Sequence, residues 1–223
     1  MSTLLLRQRG MRTFADIIAK LGDIPPERIL LEPTPGTATE GDLIRVNERD
    51  NLLCELVFGT LVEKAMGAEE SKLEHWIAYL LYKYLEDNEI GELMSGSGFM
   101  RLAKGIVRAP DVSFFLWQHA TTEEEDRKHP IANTFPDLAV EVVSRSNTPK
   151  ELARKRKEYF KAGTTLVWQV YPKTRTVEVY TSPTRFRTLT LADTLDGGEI
   201  LPGLQIPLKR LFGRRTKPSK RAE

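Results

Sequence analysis

Two carboxylates lie inside apolar, strand-forming sequence, and that conflict restricts the fold of this chain more than any other feature. Asp111 is followed by Val112, Phe114, Phe115, Leu116 and Trp117 in VRAPDVSFFLW, and Glu141 is flanked by Leu138, Val140, Val142 and Val143 in PDLAVEVVS. Runs of β-branched and aromatic residues like these read as buried strands. A carboxylate withdrawn from water there requires a cation, a donor network or a shifted pKa. The sequence supplies cations directly afterwards, in NTPKELARKRKEYFKAG with Lys155, Arg156 and Lys157, before a last apolar run, TLVWQVY. Two acids on strands and a lysine on the next helix are the parts of a metal site. Hard oxygen ligands suit Mg²⁺, which keeps several waters and is usually held by one or two carboxylates plus phosphate oxygens, so phosphodiester cleavage is the chemistry indicated.

The segment after Glu141 is written as a helix. Thr148 as N-cap, Pro149 at the first helical position and Glu151 three residues after the cap match a capping box, and Gly163 is a C-terminal stop. Leu152, Ala153, Tyr159 and Phe160 define its apolar stripe, with Arg156 near the middle and Lys155 on the flank, so geometry alone leaves both cations open. A second helix is predicted over 69–87, where Leu73, Trp76, Ile77, Leu80, Leu81, Tyr84 and Leu85 follow the i, i+3, i+4, i+7 rule. Ser71 with Glu74 could cap it, or Glu69 and Glu70 could occupy an earlier first turn. His75 falls opposite the stripe and reads as solvated.

Phe14, Ile17, Ile18 and Leu21, closed by Gly22, predict a short amphipathic helix, followed by a proline-rich arm through residue 40. Residues 43–63 read as strands, with 47–51 as a polar turn. The SGSG run before FMRL lacks a following Lys-Ser/Thr and a helix, which excludes a nucleotide P-loop. Residues 118–135 read as a polar loop, and its acids Glu123, Glu124, Glu125 and Asp126 as a solvated face. Trp168 belongs to a core strand, and 176–180 and 187–191 alternate like outer strands.

Composition excludes several classes. Cys54 is the single cysteine, so no intrachain disulfide forms, and no apolar run approaches the roughly 20 residues that cross a bilayer. A cytoplasmic location is expected. Three scattered histidines and no G-x-S-x-G give neither a triad nor a zinc site. The net charge of +2 conceals an uneven distribution: residues 209–223 hold seven Lys or Arg and one Glu, leaving 26 basic and 30 acidic residues elsewhere, a formal −4. The basic tail over 213–223 reads as disordered.

In order, ELVFGTLVEKAMG, VRAPDVSFF, DLAVEVVSRSNTP, the Lys155 to Tyr159 spacing, LVW and LPG resemble the Uma family of restriction-endonuclease-like proteins, within the PD-(D/E)XK nuclease superfamily. The resemblance covers roughly residues 40–212. It implies an α/β (α+β) domain over 41–212, with an αβββαβ core whose mixed central sheet is flanked by helices, extra N-terminal strands and C-terminal outer strands. It implies a Mg²⁺-dependent endonuclease acting on DNA, with Mn²⁺ able to substitute, and a symmetric dimer would suit cleavage of both strands.

The resemblance assigns Asp111 and Glu141 as metal ligands, Glu63 as a further acidic group and Lys155 as the site lysine; Arg154, Arg156 and Lys157 are candidate nucleic-acid contacts. Taken alone, Glu63 beside Lys64 reads as a surface residue. The chain departs from the pattern at Val143, where the superfamily has lysine, and at Phe58 and Tyr171, where the family has aspartate. The missing triplet lysine motivates a rival reading, a nuclease fold without turnover that binds DNA or a protein.

Overall fold

The structure of the chain is a computed structural model that describes residues 13–50, 52–65 and 67–213. The first twelve residues and the basic tail from residue 214 lie outside the described residues. Helix α1 (Phe14–Leu21) is fixed by a capping box between Thr13 and Asp16 and closed by Gly22 at φ 89°. A 3₁₀ turn, Pro26–Arg28, leads through the proline-rich arm to a second helix, α2 (Glu40–Arg49).

Helix α2 corrects the expectation of strand and turn over residues 43–50. Thr39 and Asp42 form a reciprocal capping box, and Leu43 and Val46, one turn apart, bury the same face. Local capping outweighed the β-branched residues that suggested a strand. Strands begin later, at β1 (Cys54–Val57) and β2 (Thr60–Glu63).

Helix α3 (Ala68–Leu85) starts at Gly67 with Glu69 and Glu70 in its first turn, the earlier of the two expected starts. Then come β3 (Gly91–Ser95), β4 (Phe99–Ala103), β5 (Ile106–Arg108) and β6 (Val112–Leu116). The polar loop contains a short exposed helix, α4 (Glu123–Lys128), capped by Thr122, and a two-residue strand, β7 (Ile131–Ala132). Next are β8 (Leu138–Val142), α5 (Pro149–Ala162), β9 (Leu166–Tyr171), β10 (Thr176–Tyr180) and β11 (Phe186–Leu189). A hairpin of β12 (Thr194–Gly197) and β13 (Leu201–Pro207) leads into α6 (Leu208–Leu211).

The larger sheet has the order β11-β10-β9-β8-β6-β3. β3 and β6, and β6 and β8, pair antiparallel, whereas β8 and β9 pair parallel with α5 as the crossover. Helix α3, strands β3, β6 and β8, helix α5 and strand β9 therefore form the expected αβββαβ order around a mixed sheet. Strands β4, β5 and β7 interrupt that order and join a second sheet, β2-β1-β5-β4-β7.

Alternation along the strands decides where the acids point. Val112, Phe114, Val140, Val142, Trp168 and Val170 face α3 and the C-terminal hairpin in the main core. Ala139 and Val167 point the other way, onto Tyr159 of α5. With a side-chain period of two, Asp111 and Glu141 share that second face. In the smaller sheet Cys54, Leu56 and Leu61 pack toward α2, and Val57 and Val62 toward Leu21 and Ile24 on the opposite side. Helix α5 lies between the two sheets. Among the described residues no helix is long and apolar enough to cross a membrane.

Candidate active site

Asp111 stands one residue before β6. The antiparallel pairing of Val112 with Val140 therefore sets it across from Glu141 on the adjacent strand. Its Oδ2 accepts the Val142 amide at 2.6 Å, and its Oδ1 is 3.0 Å from the Lys64 Nζ. Glu141 is more enclosed. Both of its oxygens accept from Lys155 Nζ, at 3.0 and 2.9 Å, and Oε1 also accepts the Tyr159 hydroxyl at 2.5 Å. Lys155 and Tyr159 sit one turn apart on α5, so a single helix face delivers both donors. Of the two cations that the helical wheel left open, Lys155 turns to Glu141. Arg156 instead donates to the Pro183 carbonyl and to Gln169 and lies 3.9 Å over the Tyr180 ring.

A third buried acid completes the group. Glu55 Oε1 is 3.3 Å from Lys155 Nζ and accepts the Ala109 amide at 3.2 Å, and Oε2 accepts from Arg108 Nη1 at 2.6 Å. Arg108 spans onward to Glu158, with Nε and Nη2 donating to Oε2 at 2.8 and 2.6 Å. The β1–β2 register separates this acid from Glu63. Glu55 pairs with Val62 and faces α5; Glu63 pairs with Cys54 and faces the other side. Glu63 is thus not brought to Asp111 and Glu141. Its charge acts on Cys54, whose thiol burial and the acids Glu63 and Glu55 push up to about 12. The signal for Glu55 was present in LLCELVF, an acid inside an apolar run like the other two.

The next residue after Glu63 enters the site instead. Lys64 is buried and donates to the carbonyls of Ala109 at 2.6 Å and Gly96 at 3.1 Å, besides its pairing with Asp111. Beside Asp111 a cleft of about 280 Å³ opens, lined by Ser71, Glu74, His75, Ser95 and Ser97 among others. A larger hollow of about 740 Å³, around Trp76, Arg175 and Phe212, touches none of these acids. Of these two, the cleft adjoining Asp111 is the relevant one because it reaches a carboxylate of the group.

Burial raises the pKa of Glu141, and the charges of Asp111 and Glu55 add to the rise against the opposing Lys155. Burial alone would lower Lys155, but Glu141 and Glu55 override it and hold the ammonium well above its usual range. Burial would likewise raise Glu55, and Lys155 and Arg108 reverse that, keeping it ionised. Burial also raises Glu74, with Asp111 contributing. Both carboxylates thus favour the charged form of Lys155.

Among the described residues no three or more His, Cys, Asp or Glu side chains are grouped to hold a metal ion. The donor chemistry nevertheless suits a hard divalent cation. Asp111 and Glu141 offer carboxylate oxygens from neighbouring strands, with Asp111 at the cleft, and Mg²⁺ needs only one or two carboxylates. Each acid already holds an ammonium, so a metal ion would have to compete for them. The three candidate nucleic-acid residues diverge. Lys157 is exposed; Arg156 is committed internally; Arg154 is mostly covered, with its Nη1 3.6 Å from Glu158, and burial together with Arg108 lowers its pKa to about 10.

A family model described as "Putative restriction endonuclease" matches residues 42–209 of the chain. A crystal structure from Anabaena variabilis, described as "a putative nuclease belonging to DUF820", superposes with a TM-score of 0.64 at 19% identity. The superposition covers 72% of this chain and 89% of that one. No curated protein matches the chain.

Proposed function

Since this chain belongs to the Uma2 family, whose model carries a restriction-endonuclease description, we propose that it hydrolyses phosphodiester bonds in DNA with a divalent metal at the Asp111–Glu141 pair. The observation that supports this reading is the clustering of two buried acids and a buried lysine, 30 and 14 positions apart along the chain, with Asp111 of the cluster lining a cleft. Structural ion pairs alone do not require a cleft.

Asp111 and Glu141 would hold Mg²⁺, or Mn²⁺ in its place. When bound, such an ion supplies a Lewis acid for a phosphoryl oxygen and lowers the pKa of a coordinated water. The protein's own contribution is positioning. The Val142 amide fixes Asp111, and Lys155 with Tyr159 fixes Glu141. The buried Lys155 ammonium would supply a fixed positive charge to a scissile phosphate, stabilising developing charge without reorganisation. Glu55, paired with Lys155 and Arg108, sets the position of that ammonium. The lysine absent at position 143 is thus replaced in space by one from the following helix.

The test is incubation of the full chain with plasmid, single-stranded DNA and RNA in excess Mg²⁺, in excess Mn²⁺ and in EDTA. Cleavage of DNA with either ion and none in EDTA is expected. Scission of both strands would call on a symmetric dimer. One observation favours the rival reading of a binding module without turnover: both acids are saturated by lysines. Retention of DNA with no cleavage under any of these conditions would establish that reading.

A further inference from the structure

Lys64 has no part in the proposed hydrolysis, yet it is buried in the site. Its Nζ has three oxygen partners: Asp111 Oδ1 at 3.0 Å, Ala109 O at 2.6 Å and Gly96 O at 3.1 Å. One carboxylate and two carbonyls form the donor set of a hard cation, and here an ammonium satisfies it. The surroundings are shaped to admit it. A Cβ on Gly96 would lie 3.3 Å from Lys64 Nζ and 3.0 Å from Glu74 Oε1, so the glycine leaves room for both groups.

The charges around it also close without a metal. Glu55, Glu74, Asp111, Glu141 and Glu158 are set against Lys64, Arg108, Arg154 and Lys155. Five acids against four cations leave one negative charge at most. A divalent ion added to this group meets an ammonium already bound to its principal ligand.

Resting on the hydrolytic reading above, we propose that Lys64 is the resident cation of the site: its ammonium occupies the cation position at Asp111, and a divalent metal loads only in competition with it. Lys64 thereby sets how much free metal the site requires. Like charges a few ångströms apart repel strongly even with substantial screening, so removing this one raises divalent affinity by about tenfold or more.

The experiment is titration calorimetry of the full chain, stripped with EDTA and dialysed, using Mn²⁺ alone as the probe. Wild type, Lys64→Met and the double variant Lys64→Met/Asp111→Asn are compared, with melting curves recorded for each. Lys64→Met is expected to bind Mn²⁺ about tenfold or more tightly than wild type, and the double variant to lose the gain. Equal, weaker or absent binding by Lys64→Met overturns the proposal. Should Lys64→Met fail to fold, Lys64→Gln, which keeps an N–H donor for the Ala109 carbonyl, carries the same expectation. Tight binding by wild type that Lys64→Met leaves unchanged and the double variant abolishes would refute the resident cation while leaving the hydrolytic reading intact. Metal-dependent cleavage missing from every form would refute that reading separately.

Discussion

At the scale of single residues, the site is made of ions that would be costly to bury one at a time and are tolerable together. Asp111, Glu141 and Lys155 were legible because a charged residue in an apolar run demands a partner, and their partners proved to be one another and close neighbours. Glu55 obeys the same rule. Lys64 did not stand out, because Glu63 and Lys64 read together as an ordinary surface pair, and only the strand register shows which of the two turns toward the site. Lys155→Met should lower cleavage by about a hundredfold or more, as loss of a preorganised charge does, with the melting curve as the check on folding. A second buried pair tests the electrostatics away from the chemistry. Arg28 donates to both Glu151 oxygens, at 3.0 and 2.9 Å. Burial would raise Glu151, but the Arg28 hydrogen bonds and the Lys155 charge hold it below its ordinary value. A depressed carboxylate contributes stability above its unfolded pKa of about 4.3 and loses it as pH falls through the folded value. The melting temperature of Glu151→Gln should therefore lie furthest below wild type near neutral pH, and the gap should close in acid. A gap independent of pH would contradict this assignment.

At the scale of elements, caps and periodicity were the dependable signals. Thr148, Pro149, Glu151 and Gly163 mark α5 at the positions where it begins and ends, and Gly22 closes α1. Helix α2 was missed because its apolar residues are few, two of the three being β-branched, and its capping box lies at the end of a proline-rich arm. The contact between α1 and α5 was not legible, since nothing in either sequence names the other. Gly22 is where they meet: a Cβ there would lie 2.6 Å from the Glu151 backbone nitrogen, at a φ of 89° that L residues rarely adopt. The Thr148 hydroxyl donates to the Gly22 carbonyl while accepting the Glu151 amide at 3.0 Å. Gly22→Ala should therefore destabilise by more than the ~1 kcal/mol of a helix-propensity change, because both strain and clash oppose it. Thr148→Ala should cost about 1–2 kcal/mol through the lost cap. Urea unfolding reads both.

At the scale of the whole molecule, two sheets share one helix, and the buried ions are what join them. The larger sheet carries Asp111 and Glu141, the smaller carries Glu55 and Arg108, and α5 between them supplies Lys155, Glu158 and Tyr159. The αβββαβ order was legible from local patterns together with the family resemblance. The second sheet was not, because β4, β5 and β7 pair with strands that no local spacing specifies, and β4 with β7 runs parallel across two intervening strands and a helix. Arg108→Met should lower stability by about 3–5 kcal/mol, since it leaves Glu55 and Glu158 buried without their shared partner. The claim on which the functional account rests is that one divalent cation binds between the two sheet acids. Anomalous diffraction from crystals soaked in Mn²⁺ tests it directly. A peak within about 2.0–2.3 Å of oxygens from both Asp111 and Glu141 is the predicted result; crystals of the folded protein with no peak there, or with a peak only elsewhere, would contradict it.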